Sequence, residues 1–369
     1  MDNKATEAKL GAKEKRLKKI VAIVAASLVG INVAGIGATI SGYDAYFKRY
    51  ERPDYSLYPG LYCYDRVKDT LERDTFTIRS GENDLAAYYY PAENAEGLVV
   101  LAHGIHAGAD DYIPLIEAIV NGGFAVLAYD VTGNYDSGGD SVIGMCQSLR
   151  DIDTVLNYAR DNAPFSDIPK LVIGHSWGGY AAGSVLALHS EICAAALIAP
   201  MNDGTTIMIE TAEKYAGDVV RAAKPVFDIY QKYLFGDYVN YNALIGINST
   251  TVPVLIAQGT SDDIITHDRL SVTAHIHEII NPNVTVYWGT GYQGSHTGIW
   301  HSDNAEEYVK TVADEIAAKE AALGRELTKE ELAAYYSTVD HRRYSEVNAG
   351  LVDLILTTFR EGVALSQSK

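Results

Sequence analysis

The stretch Gly174-His175-Ser176-Trp177-Gly178-Gly179 sets a serine among glycines, after the apolar run Leu171-Val172-Ile173 and before the small-residue segment Tyr180–Ala187. Strand, sharp turn and helix in that order push a serine Oγ out of the sheet and hold it at a helix N-terminus. The glycines are needed because side chains in so tight a turn collide with neighbouring elements. A serine hydroxyl is a weak nucleophile. It requires an adjacent base, and the base requires a third group to orient it.

On a turn of this kind the acid follows the serine in sequence and the histidine comes last. The run Val254–Gly259 leads into Thr260-Ser261-Asp262-Asp263. Asp262, three residues past Gly259, is the candidate acid, and Asp263 is the alternative. The run Val284–Trp288 leads into Gly291-Tyr292-Gln293-Gly294-Ser295-His296-Thr297-Gly298. His296, in a glycine-rich loop able to fold back over Ser176, is the candidate base; His301 is the runner-up. A tetrahedral oxyanion needs two preorganised N–H donors. The N–H of Trp177 supplies one, and that of Ile105, in the loop Leu101-Ala102-His103-Gly104-Ile105, is the candidate for the other. His103 reads as a residue that shapes this loop. His103 and His106, with Tyr215 and Tyr230 further on, are the candidate substrate-binding side chains.

These residues need a scaffold. Eight strand-like runs are Thr75–Arg79, Leu85–Tyr90, Leu98–Ala102, Ala125–Tyr129, Leu171–Gly174, Ala194–Ala199, Val252–Ala257 and Val284–Trp288. The later ones are continuously apolar, as buried parallel strands are. Helical patterns lie between them at Tyr112–Asn121, Gln147–Asp161, Trp177–His189 and His267–Ile279. Such alternation predicts an α/β fold with a mostly parallel eight-stranded sheet and helices on both faces. Two stretches interrupt it. Residues 201–250 predict a helical cap, with Met201, Met208 and five tyrosines either lining an apolar entrance over Ser176 or packing the cap onto the sheet. Residues 303–345 predict a helical insert in which Thr328 and Glu331 form a capping box, and a last helix covers Glu346–Phe359.

The chain has 369 residues with a formal net charge of −18. Residues 1–19 hold seven Lys/Arg and three acidic residues, a net of +4, which leaves −22 for the rest. A body that acidic repels phosphate backbones, so no nucleic-acid partner is expected. Three cysteines, Cys63, Cys146 and Cys193, are too few for a disulfide scaffold and match no zinc pattern. They read as buried thiols, with a Cys63–Cys146 or Cys63–Cys193 bridge as the alternative in an exported domain. No metal or organic cofactor is implied.

Ile20–Ile40 carries no charge, and a helix of about 20 residues spans a bilayer. Residues 20–41 therefore read as a single transmembrane anchor holding the protein to the lipid bilayer. The alternative is a signal peptide cleaved after Ile36-Gly37-Ala38, which would leave the protein secreted. The basic run before the span keeps residues 1–19 in the cytoplasm and puts the remainder outside the cell. Ala26, Gly30, Ala34 and Ala38 share one helical stripe, which permits close helix–helix approach and self-association through the anchor. Residues 42–72 read as a linker, and residues 73–369 as the globular domain.

The sequence resembles the α/β-hydrolase superfamily, and within it the serine aminopeptidase and monoacylglycerol-lipase-like (lysophospholipase-like) group. The resemblance rests on His103-Gly104 after the third strand, on Gly174-His175-Ser176-Trp177-Gly178-Gly179, and on Tyr129-Asp130 followed by the Gly/Ser-rich run to Gly139. It covers about residues 73–360 and implies a cap after the sixth strand, here 201–250. Two features depart from the group: Ser295-His296 stands where Gly-His is usual, and some forty residues separate it from the final helix. The expectation is a membrane-anchored serine hydrolase of carboxylic esters, lipid-like or of small acyl groups. Peptide hydrolysis from an N-terminus is the alternative; an apolar funnel would favour the ester and an acidic patch the amine. A non-catalytic surface protein of the same fold is a third reading, against which the three candidate catalytic residues argue.

Overall fold

The structure, a computed structural model, describes residues 35–58 and 62–368, with the side chains of residues 214–216 and 219 outside the description. The basic run and most of the uncharged run therefore lie outside the described residues, and with them the expected anchor. Among the described residues no helix is long and apolar enough to cross a membrane.

Eight strands form one sheet: β1 (Asp74–Ser80), β2 (Asn83–Tyr90), β3 (Leu98–Ala102), β4 (Ala125–Tyr129), β5 (Lys170–His175), β6 (Ile192–Ile198), β7 (Val254–Gly259) and β8 (Val284–Gly289). Their spatial order is β1-β2-β4-β3-β5-β6-β7-β8. β1 pairs with β2, and β2 with β4, antiparallel; every later pair is parallel. β3 to β7 are buried along their whole length. In β3, Leu98, Val100 and Ala102 join the core on one face, and Val99 and Leu101 the core on the other. Alternation persists in space, but with both faces covered the sequence reads as one apolar run.

Helices α2 (Ile113–Asn121) and α11 (Ala349–Gln367) cover one face through Ile116, Ile119, Ile355 and Phe359. Helices α3 (Gln147–Asp161) and α4 (Trp177–Ser184) cover the other through Leu149, Ile152, Tyr180 and Ala181. Between β6 and β7 stand three helices, α5 (Gly204–Ala216), α6 (Lys224–Phe235) and α7 (Ala243–Asn248). The later insert holds α8 (Asp303–Leu323), α9 (Lys329–Tyr336) and α10 (His341–Tyr344). The capping box is present: Thr328 Oγ1 accepts from the Glu331 N–H, and the Glu331 carboxylate accepts from the Thr328 N–H.

One expectation changes and another holds. His267–Ile279 is not an α-helix. A turn closes on the Thr266 carbonyl, which accepts from Leu270 and Ser271, and a 3-10 segment follows at Val272–Glu278, capped by Ser271 and kinked at His275. A cap-forming serine and two β-branched residues in succession favour a restart over helix continuation. The cysteines are all buried free thiols, so neither bridge forms.

The expected linker is tightly held. Arg52 pairs with Asp110 and Asp136 at 2.6 Å each, and Arg49 Nη1 donates to the carbonyls of Ser137 and Gly139. Residues 35–46 are helical (α1, as far as the described residues reach), and Tyr43 and Phe47 at the end of this stretch are fully buried. Ring centroids of Tyr43 and Phe47 lie 4.6 Å apart, and Tyr43 lies 6.2 Å from Phe227 of α6. Two aromatic side chains buried to that extent contribute roughly 2–3 kcal/mol each, enough to fix α1 against the body.

Candidate active site

Ser176 sits between β5 and α4 with φ 57° and ψ −113°. A non-glycine residue there is strained by roughly 1–3 kcal/mol, and strain of this kind persists only where the surroundings impose it. The Ser176 N–H donates to the Ile198 carbonyl, and the Ser176 carbonyl accepts from the Tyr180 N–H. A Cβ on Gly174 would lie 2.1 Å from the Gly178 carbonyl oxygen, and one on Gly178 would lie 2.0 Å from that of Ala102. Only glycine permits backbone to pack on backbone so closely.

Asp262, His296 and Ser176 come together in that order. His296 Nδ1 donates to Asp262 Oδ2 at 2.7 Å, which leaves Nε2 to accept from the Ser176 hydroxyl at 2.9 Å. The other oxygen of Asp262 accepts the N–H groups of Ile264 and Ile265, and Gln258 Nε2 approaches Oδ2 at 3.4 Å. The carboxylate is buried and held at both oxygens. Asp263 is exposed. His301 lies against Trp300 and Tyr292, with ring centroids at 4.7 and 6.3 Å, and lines the same cavity.

A second chain of hydrogen bonds, not anticipated from the sequence, braces this arrangement. His175 Nε2 donates to the His296 carbonyl at 3.1 Å, its Nδ1 accepts from the Tyr112 hydroxyl at 2.8 Å, and that hydroxyl accepts from the Gly104 N–H. One buried imidazole thus ties the histidine loop to the loop that carries Ile105. Burial, with repulsion from His296 behind it, pushes the His175 imidazolium down to about 3, so the ring is neutral.

His103 does not line the cavity. It is fully buried, its Nδ1 donates to the Gly104 carbonyl, and its Nε2 accepts from the Val131 N–H. Both nitrogens are spent on shaping the loop. Burial pushes its imidazolium down to about 4. His106 lines the cavity at φ 63°, bonded to the Tyr50 hydroxyl. Tyr230 does not line it: its hydroxyl donates to Asp44 at 2.9 Å and its ring packs edge-on against Tyr43. The Tyr215 side chain lies outside the description.

The buried neutral histidines predict acid lability. Their folded pKa values lie below the unfolded value of about 6.5, so between pH 6.5 and about 4 the unfolded chain binds protons that the folded chain refuses. Stability is present at pH 7 and lost as pH falls through that window, by up to about 1.4 kcal/mol per pH unit for each ring. Asp130, which burial raises to about 6, acts in the opposite sense between pH 4 and 6. The comparison isolates one ring: in His103→Asn the urea midpoint should fall less steeply from pH 6.5 to 4.5 than in the parent. Equal slopes would contradict the neutral assignment.

The floor of a cavity of about 1360 Å3 holds Ser176, His296, Ile105 and Trp177. Its walls are mainly apolar and include Met145, Met201, Met208 and Phe227, together with α1. The cap lines it with Met, Ile, Val and Phe side chains, whereas two of its tyrosines tie the cap to the body: Tyr238 donates to Asp153, and Tyr230 to Asp44. Among the described residues no group of three or more potential ligands is placed to hold a metal ion.

Residues 93–246 match the family described as Serine aminopeptidase, S33. The monoacylglycerol lipase of Mycolicibacterium smegmatis is 30% identical over 115 residues, which is 31% of this chain and 40% of that lipase. The chain thus spans about two fifths of the length of the curated relative it matches. Among solved structures it is similar to the Pyrococcus furiosus esterase Pf2001 (21% identical, 66% of this chain and 89% of that one, TM-score 0.49). It is also similar to Est1E from Butyrivibrio proteoclasticus with ferulic acid bound (18% identical, 67% and 99%, TM-score 0.45). The eight-stranded sheet, the serine turn between β5 and α4 and the match over residues 93–246 together support assignment of the chain to the α/β-hydrolase superfamily.

Proposed function

We propose that the protein is a serine hydrolase of carboxylic esters, anchored to the cell membrane through the uncharged residues that precede α1, with its catalytic domain outside. The observation that carries the reading is the relay from Asp262 through His296 to Ser176 on the floor of an apolar cavity. Ser176 Oγ attacks the ester carbonyl while His296 Nε2 takes its proton, and Asp262 stabilises the imidazolium. The N–H groups of Ile105 and Trp177 hold the oxyanion. His296 then returns the proton to the departing alcohol as the carbonyl–oxygen bond breaks. Water, deprotonated by the same imidazole, releases the acid from the acyl-enzyme.

Hydrolysis from a peptide N-terminus would use the same machinery and an acid to hold the amine. Asp111 lines the cavity, but its carboxylate already accepts from the Gly108 N–H and the Tyr135 and Tyr55 hydroxyls. A panel of p-nitrophenyl esters and aminoacyl anilides, assayed on membrane and soluble fractions of cells making the full chain, tests the reading. Ester turnover in the membrane fraction is expected. Anilide turnover without ester turnover would transfer the assignment to a peptidase, and activity confined to the soluble fraction would remove the anchor.

A further inference from the structure

One wall of the cavity comes from outside the segment that matches the hydrolase family. Gly35, Ala38, Thr39, Gly42, Tyr43 and Tyr46 all line it, at the three- and four-residue spacing of a single helical face of α1. From Gly35 to Gly42 this face runs about 10 Å at the rise of an α-helix. Its first four cavity-lining residues are small. A Cβ built on Gly35 or Gly42 meets nothing within 4 Å, so the face borders open space rather than a packed neighbour.

The face is also fixed in place. Tyr43 is buried between Phe47, Phe227 and Tyr230, and its hydroxyl accepts from the Met145 N–H at 3.3 Å. Lys48 and Tyr50 continue the attachment by bridging to Ser141 and Asn134. α1 is therefore a standing wall, rigid at one end, and not a loose tail over the mouth.

Position selects which half of an ester the wall meets. The departing alcohol must lie beside His296 Nε2 to receive its proton. α1 borders the cavity beside the oxyanion donors: Tyr46 packs on His106, the residue after Ile105, and Tyr43 accepts from the N–H of Met145, whose carbonyl accepts from the Trp177 indole. An acyl group pointing away from the leaving group runs toward that side. The cavity also exceeds the roughly 300–1,000 Å3 of ordinary small-molecule sites, which suits a long flexible chain.

We propose that α1 is the chain-length-determining wall of the acyl site, so that the preferred substrates are esters of long-chain fatty acids whose alkyl chain lies along Gly42, Thr39, Ala38 and Gly35. This rests on the reading of Ser176 as an esterase nucleophile. Each methylene buried along the wall should raise kcat/KM by about fourfold.

Three full-length proteins test this with p-nitrophenyl butyrate and p-nitrophenyl laurate: the parent, Gly42→Phe and Gly37→Phe. The parent should prefer laurate. Gly42→Phe fills the groove, and the laurate-to-butyrate ratio of kcat/KM should fall at least tenfold. Gly37 does not line the cavity and its Cβ direction is equally open, so Gly37→Phe should keep the parental ratio. Labelling by a fluorophosphonate, unchanged in all three, reports that the site is folded. A laurate-to-butyrate ratio unmoved by Gly42→Phe, or lowered equally by both substitutions, overturns the wall. A parent that hydrolyses neither ester overturns the esterase reading itself.

Discussion

Ser176→Ala is expected to lower ester turnover by about a million-fold, because a nucleophile, base and acid that act as one unit lose nearly everything when the nucleophile goes. The substitution removes only the Oγ that donates to His296. The strained backbone, the Ile198 and Tyr180 hydrogen bonds and the surrounding glycines stay as they are, so the folded state should be retained. His296→Ala should fall by a similar factor. Steady-state rates on p-nitrophenyl butyrate, with urea midpoints alongside, separate loss of chemistry from loss of fold. Residual turnover within a hundredfold of the parent would place the nucleophile elsewhere.

Asp262→Asn should cost about ten-thousandfold, and the structure gives the reason. Asp262 Oδ1 is committed to the N–H groups of Ile264 and Ile265, so an asparagine keeps its carbonyl oxygen there and turns its amide nitrogen to His296 Nδ1. Nδ1 must then accept, the ring proton moves to Nε2, and Nε2 no longer takes the proton of Ser176. Asp263→Asn, one residue on and exposed, should leave the rate within about twofold. The reverse pattern in kcat would assign the acid to Asp263.

Much of this site was legible in the sequence because the local chemistry is unusual. A serine among glycines between a buried strand and a small-residue helix has few other physical uses, and the acid and histidine follow the ends of two further apolar strands. Strands β3 to β7 were readable for the same reason: burial on both faces removes polar residues from them. What stayed hidden depends on contacts between distant segments. Nothing near His175 signals that its ring reaches both Tyr112 and the His296 carbonyl. The cap tyrosines have the composition of a substrate rim, but Asp44 and Asp153 claim the hydroxyls of Tyr230 and Tyr238. The uncharged run to Ile40 reads as a membrane span, and that reading masks the role of its last residues in lining the cavity, which becomes visible only once Tyr43 is seen against Phe227 and Met145.

The central claim is that Ser176 is the nucleophile activated by His296. The most direct measurement is covalent capture of the full-length protein with a fluorophosphonate, followed by peptide mass mapping. One phosphonyl group is expected, on the peptide that carries Gly174-His175-Ser176, absent in Ser176→Ala and formed far more slowly in His296→Ala. An adduct on any other residue, or undiminished labelling of Ser176→Ala, would contradict the account.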